Sequence, residues 1–160
     1  PEKTQSRIAT IATIHESHYK YKDMALINVA HTWEKLVNDC LNSLVNEPGN
    51  FNLELNIDYL ELPVDKMIPL GLLINELVTN SILHGFKGRN HGSIYLALRL
   101  EGHQYFLTYK DDGIGIHQPK QDDKEHHFGH FLIEGFANQL NGAIRQIDSK
   151  TGVHFELEFE

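Results

Sequence analysis

Two stretches of strict alternation constrain this chain most. Phe51, Leu53, Leu55 and Ile57 alternate with Asn52, Glu54, Asn56 and Asp58. Val153, Phe155, Leu157 and Phe159 alternate with His154, Glu156, Glu158 and Glu160. Successive side chains on a strand point to opposite faces, so each stretch has one apolar and one wet side. Such strands need cover on one side only. Ser93–Leu100 and Gln104–Lys110 read as two more strands around the short turn Glu101-Gly102-His103. Ala143–Asp148 completes a last hairpin with the final strand, around Ser149–Gly152.

The cover comes from segments of helical period. Ile8, Ile11, His15 and Tyr19 fall at helical spacing within Lys3–Lys20. A second helix is predicted from His31 to Val45, where Trp33, Leu36, Val37, Cys40, Leu41 and Leu44 form an i, i+3, i+4 stripe that Asn46, Pro48, Gly49 and Asn50 terminate. A long helix capped by Asp65 reaches Phe86, with Pro69 near enough to its start to be tolerated. Lys87–Gly92 is a polar loop. Ile116–Phe128, with one proline and no hydrophobic period, reads as a mobile loop. The last helix runs from Gly129 to Leu140 and stops at Asn141-Gly142. Three helices and five strands after a leading helical segment best bury their stripes as a two-layer α/β sandwich, with a mixed sheet and the helices on one face.

Composition narrows the function classes. A chain of 160 residues, 41% hydrophobic and 22% charged, has enough apolar surface for one folded core. Fourteen basic against 22 acidic residues give a formal charge of −8, which argues against a nucleic acid held through its backbone phosphates. No apolar run approaches the roughly 20 residues of a membrane helix, so no membrane contact is expected of this piece. Cys40 is the single cysteine, on the apolar stripe of the second helix, and is expected as core in a reducing compartment. The chain opens at Pro1 and reads as a processed product or a piece of something longer.

Two motifs could carry chemistry. In Asn75-Glu76-Leu77-Val78-Thr79-Asn80-Ser81-Ile82-Leu83-His84, the residues Glu76, Asn80 and His84 stand four apart and share one helix face. Asn80 offers an oxygen to a hard cation such as Mg²⁺, Glu76 can orient or deprotonate a nucleophile, and His84 can donate to a phosphate. The bland alternative is a solvated helix face. The second motif, Asp111-Asp112-Gly113-Ile114-Gly115, follows a strand. Its glycines permit a sharp turn close to a ligand, and its carboxylate can accept from an exocyclic amine. An ordinary Asp-Gly turn is the alternative. Phe128-Gly129, opening a helix, would present N–H groups to an anion.

In this order, these motifs resemble the GHKL ATPase superfamily, and within it the catalytic domain of sensor histidine kinases. Pro69 to Asn80, followed by His84-Gly85-Phe86, looks like the N-box of the second HisKA subfamily, close to the HWE kinases. Gln5-Ser6-Arg7-Ile8, Ile14-His15-Glu16 and Tyr19 look like the tail of its dimerisation helices. The resemblance implies residues 1–24 as a remnant of those helices and 25–160 as the ATP-binding domain, of Bergerat fold. It implies Glu76 as catalytic base or polarising acid, Asn80 as Mg²⁺ ligand and His84 as a phosphate contact. It further implies Asp111 as acceptor of the adenine amine, Gly113 and Gly115 as nucleotide-lining glycines, Ile116–Phe128 as the ATP lid and Gly129 as its far hinge. The implied activity is transfer of the γ-phosphoryl group of ATP to a histidine and onward to a response regulator receiver domain, in a cytoplasmic homodimer.

The match departs in places. The second glycine box reads Gly129-His130-Phe131-Leu132 where Gly-Leu-Gly or Gly-Leu-x-Leu is usual. Thr151-Gly152-Val153 stands where a Gly-Thr pair is common. The lid offers only Lys120 and Lys124 as cations. The His-Arg-x-x-Asn acceptor pattern does not occur, and His15-Glu16 fits the second dimerisation helix better than an acceptor site. A degenerate, non-catalytic scaffold for dimerisation or phosphotransfer is therefore the alternative. A serine-directed anti-sigma-factor kinase is a third reading, disfavoured by the segment Gln5–Tyr19. His126, His127 and His130 are expected to be solvated side chains rather than a metal site.

Overall fold

The alternating segments do pair into one sheet. The computed structural model describes residues 2–20, 26–115 and 124–160, with side chains over 3–19, 26–115 and 129–160. In chain order the elements are α1 (Glu2–Lys20), β1 (Leu26–Asn28), α2 (Val29–Leu44), β2 (Phe51–Ile57), β3 (Glu61–Pro63), α3 (Val64–Asn80), β4 (Gly92–Glu101), β5 (Gln104–Asp111), α4 (Lys124–Gln139), β6 (Ala143–Gln146) and β7 (His154–Phe159). Five strands lie in the order β2-β4-β5-β7-β6. The β2–β4 pair is parallel and the other three are antiparallel, so the sheet is mixed. Two short strands that no periodicity announced, β1 and β3, pair antiparallel beside it. Three residues are too few to show a period of two.

One face of the sheet carries Ile94, Leu96, Leu98, Leu107, Tyr109, Phe155, Leu157 and Phe159, all buried in one cluster with the apolar sides of α2 and α3. The other face is wet. Register places Tyr95, Lys110 and His154 in one row and Thr108, Glu156 and Arg145 in the next. There the Lys110 ammonium lies 5.6 Å from the Tyr95 ring centre and Arg145 pairs with Glu156 at 2.9 Å. No helix among the described residues is long and apolar enough to cross a membrane.

The helices match their predicted stripes with shifted ends. Asn28 caps α2, its Oδ1 accepting from the His31 N–H at 2.9 Å, and Trp33, Leu36, Val37, Cys40 and Leu41 are buried as predicted. Asp65 does not cap α3. The helix starts one residue earlier, and Asp65 sits in its first turn, where a carboxylate still favours the helix dipole. After Asn80 the helix widens into a π turn, Ser81–Gly85, before ending at Phe86. The last helix begins at Lys124, five residues ahead of Gly129, so the expected loop ends earlier than composition suggested; its part from 116 to 123 lies outside the described residues. Asn141, at φ 52, makes the left-handed stop that the sequence signalled, with the Gly142 N–H bonded to the Ala137 carbonyl.

Helix α1 lies antiparallel along α3. Ile14 is its only large apolar side chain that is fully buried, and its Cδ1 fills the notch left by Gly71, 2.5 Å from where a Cβ would stand. Ile8, Ile11 and Tyr19 are exposed. One buried isoleucine contributes only about 1.5–3 kcal/mol, so polar contacts are needed to fix α1. They run as a ladder. Ser6 and Thr10 donate to Asn75 Oδ1 at 2.6 and 3.2 Å, Arg7 to Glu76 Oε1 at 2.5 Å, and Lys3 to Asn80 Oδ1 at 3.1 Å.

Candidate functional site

The end of α3 and the bend after β5 meet. Asp111, 7% exposed, is held on every side. Its Oδ1 accepts from the N–H groups of Gly113 (2.9 Å) and Val153 (3.1 Å), and its Oδ2 accepts from the Ser81 hydroxyl. That hydroxyl also bonds Tyr109 at 2.7 Å. Burial, with Asp111 beside it, pushes the Tyr109 phenol well above its ordinary value, so it stays a neutral partner. The glycines explain how the backbone comes so near. A Cβ on Gly113 would lie 2.6 Å from the Gly85 carbonyl oxygen, and the Ile114 N–H bonds that same oxygen at 2.9 Å. Gly115, at φ +77, approaches the Gly152 carbonyl. The two predicted motifs are therefore joined through Gly85.

Asp112 takes the other direction. Its Oδ1 accepts from the Ser93 N–H at 2.8 Å, and its side chain is half exposed beside Arg89. Of two adjacent aspartates, strand alternation sends Asp111 inward, as the motif required.

One turn before the π segment, Glu76 is fully buried. Arg7 occupies Oε1, while Oε2 finds no partner among the described residues. Gly129 packs beside Asn80 and that carboxylate: a Cβ there would lie 3.5 Å from Asn80 Nδ2 and 4.0 Å from Glu76 Oε2. Structure thus brings Glu76, Asn80 and Gly129 together. Gly129 does so from the second turn of α4, so it does not open the helix, and the anion site expected at its own N–H is not there.

His84 lies in the π turn and differs from the other two in exposure. Glu76 is buried, Asn80 half-buried and His84 exposed.

Three contributors escaped the sequence reading. Ser81, the first residue of the π turn, reaches Asp111 from across the layer interface. Gly152, at φ +65, packs against the backbone and carboxylate of Asp111, where a Cβ would collide. Its place in a hairpin turn next to an alternating strand was the available signal. With it, the Thr151-Gly152-Val153 departure acquires a role, since the Val153 N–H is one of the donors to Asp111. Lys3 and Arg7 were the third omission. No local pattern links them to residues more than 65 positions away.

A divalent cation with a phosphate ligand fits these residues on two observations. Asn80 Oδ1 already accepts from a cation, the Lys3 ammonium, and Glu76 carries a buried oxygen with no partner. No cluster of three or more His, Cys, Asp or Glu side chains that could hold a metal ion occurs among the described residues.

The HisKA type 2 family model, described as histidine kinase, matches residues 2–44, past residue 24 and through α2. An anti-sigma F factor of Bacillus licheniformis is 35% identical over 60 residues, 38% of this chain and 41% of that protein. Blue-light-activated histidine kinase 2 of Erythrobacter litoralis is 26% identical over 111 residues, 69% of this chain and 32% of that protein. The chain thus spans well under half the length of these curated relatives. The solved histidine kinase domain of an Erythrobacter litoralis blue-light-activated kinase superposes with a TM-score of 0.82, covering 98% of this chain and 74% of that one at 19% identity.

Proposed function

We propose, for a chain that carries the GHKL fold of histidine kinase catalytic domains behind helices matched by a histidine kinase family model, that it is the ATP-binding catalytic module of a two-component sensor kinase. The observation that supports this most is the junction at Gly85, which joins the Asp111 cradle to the helix bearing Glu76 and Asn80. In this reading Asp111 accepts the adenine amine, and Gly113 and Gly115 let the base approach the backbone. Asn80 holds the metal, with Gly129 against it and His84 at the phosphate end. Bound Mg²⁺ supplies charge neutralisation along the triphosphate. Glu76 orients or deprotonates the attacking group through the oxygen that Arg7 leaves open. The acceptor is a histidine of the dimerisation helices, outside this chain, and the phosphoryl group passes on to a receiver domain. Residues 1–24 belong to the dimerisation unit of a cytoplasmic homodimer and 25–160 to the nucleotide domain.

Two substitutions test the assignment. Asp111→Asn removes an acceptor and should weaken Mg-ATP binding, measured by calorimetry, by about fivefold or more, the loss of one hydrogen bond of about 1–3 kcal/mol. Unchanged affinity would mean that the adenine lies elsewhere. Glu76→Gln should leave affinity within about twofold yet abolish phosphoryl transfer to a supplied dimerisation domain.

Identity to anti-sigma F factors favours a second reading, a kinase acting on a partner's serine. The chemistry of the product separates the two: phosphohistidine is lost in acid and survives base, and phosphoserine does the reverse. The family match over residues 2–44 favours the histidine. A non-catalytic scaffold would show no nucleotide binding at millimolar ATP.

A further inference from the structure

The ladder between α1 and α3 ends on a contact that a structural role does not require. Ile14, Thr10, Ser6 and Arg7 already anchor the helix along Gly71, Asn75 and Glu76. One turn nearer the N-terminus, Lys3 places its ammonium 3.1 Å from Asn80 Oδ1. Asn80 Oδ1 and the unpartnered Oε2 of Glu76 both border Gly129, 3.7 and 4.0 Å from where its Cβ would stand.

We propose that Lys3 is a built-in competitor for the metal: its ammonium occupies the oxygen that the divalent ion of the nucleotide complex must take, so metal-nucleotide binding and the docked position of Lys3 exclude each other. This rests on the nucleotide reading above. The physical reason is direct. A magnesium ion binds oxygen at about 2.0–2.1 Å and accepts little distortion. An ammonium on the same oxygen would leave two cations within about 5 Å in a half-buried site, where their repulsion is poorly screened. One must leave. Lys3 is the one that can, because it sits on the first turn of α1 with a flexible four-carbon stem. Arg7 stays, since its partner Glu76 is fully buried and needs a counter-ion. The first turn of α1 thereby sets the affinity of the site while the rest of the helix holds its register.

The test is calorimetric titration of the whole chain with ADP, once with Mg²⁺ and once with EDTA. Lys3→Gln should bind Mg-ADP about three- to tenfold more tightly than wild type and metal-free ADP equally well. Lys3→Ala, which removes the ammonium without placing another polar group there, should show the same metal-dependent gain. Lys3→Gln binding Mg-ADP no better than wild type overturns the competition. A loss in both buffers overturns it too, by making Lys3 a phosphate contact. If wild type binds nucleotide and Lys3→Gln does not differ, only the competition falls. If neither chain binds nucleotide in either buffer, the nucleotide reading falls and this proposal with it.

Discussion

Asp111 keeps its place because donors surround it: two backbone N–H groups on one oxygen and a hydroxyl on the other. One of those donors depends on Gly152 lying in the left-handed region against the Asp111 backbone. Gly152→Ala should therefore cost about 1–3 kcal/mol from the forced left-handed conformation alone, read as a lower urea midpoint, and should weaken nucleotide binding as Asp111 shifts. Cys40 gives a second expectation. Burial pushes its thiol up to about 11, and it donates to Asn75 Oδ1 at 3.2 Å. At pH 8 the folded protein should resist thiol reagents that label it completely in denaturant. Labelling at equal rates in the two conditions would contradict the buried position.

Among the elements, β7 carries a pH-dependent stretch on its wet face. Burial, and then the neighbouring Lys110, lower the His154 imidazole below its usual 6.5. The folded state thus binds that proton less tightly than the unfolded chain. Its stabilising contribution is complete above pH 6.5 and is lost as pH falls through the lowered value. Glu156 is lowered as well, chiefly by the hydrogen bond from Arg145, and its contribution is lost further down, as pH falls below 4.5. Urea midpoints should decline from pH 7 to pH 5, and His154→Gln should flatten that part of the profile. The apolar spacing of α3 does not break at Ser81, so the sequence predicts continuous helix there. The π turn there carries Ser81, whose hydroxyl meets Asp111 and Tyr109 on β5.

For the molecule as a whole, the division at residue 24 meets a physical obstacle. Arg7 supplies the counter-ion of a carboxylate buried in the sandwich. Deleting residues 1–24 should cost about 3–5 kcal/mol for an ion pair broken at one side, somewhat less here because Arg7 is itself 22% exposed. Thermal denaturation should show the loss, and Glu76→Gln should recover part of it in the shortened chain but not in the full one. The layers themselves were legible in advance. Alternation in 51–58 and 153–160, the stripe of α2 and the apolar side of α3 each state locally which face is buried, and five strands under helices follow from that. The order of the motifs also pointed to one site, and the family resemblance singled out Asp111, which the strand does turn inward while Asp112 faces out. What periodicity could not supply was the identity of distant partners. Glu76 takes its counter-ion, and Asp111 two of its three donors, Ser81 and Val153, from segments that only the packed layers bring within hydrogen-bonding distance. Local sequence fixes a side chain's direction, whereas its charge balance depends on whatever the fold sets opposite it.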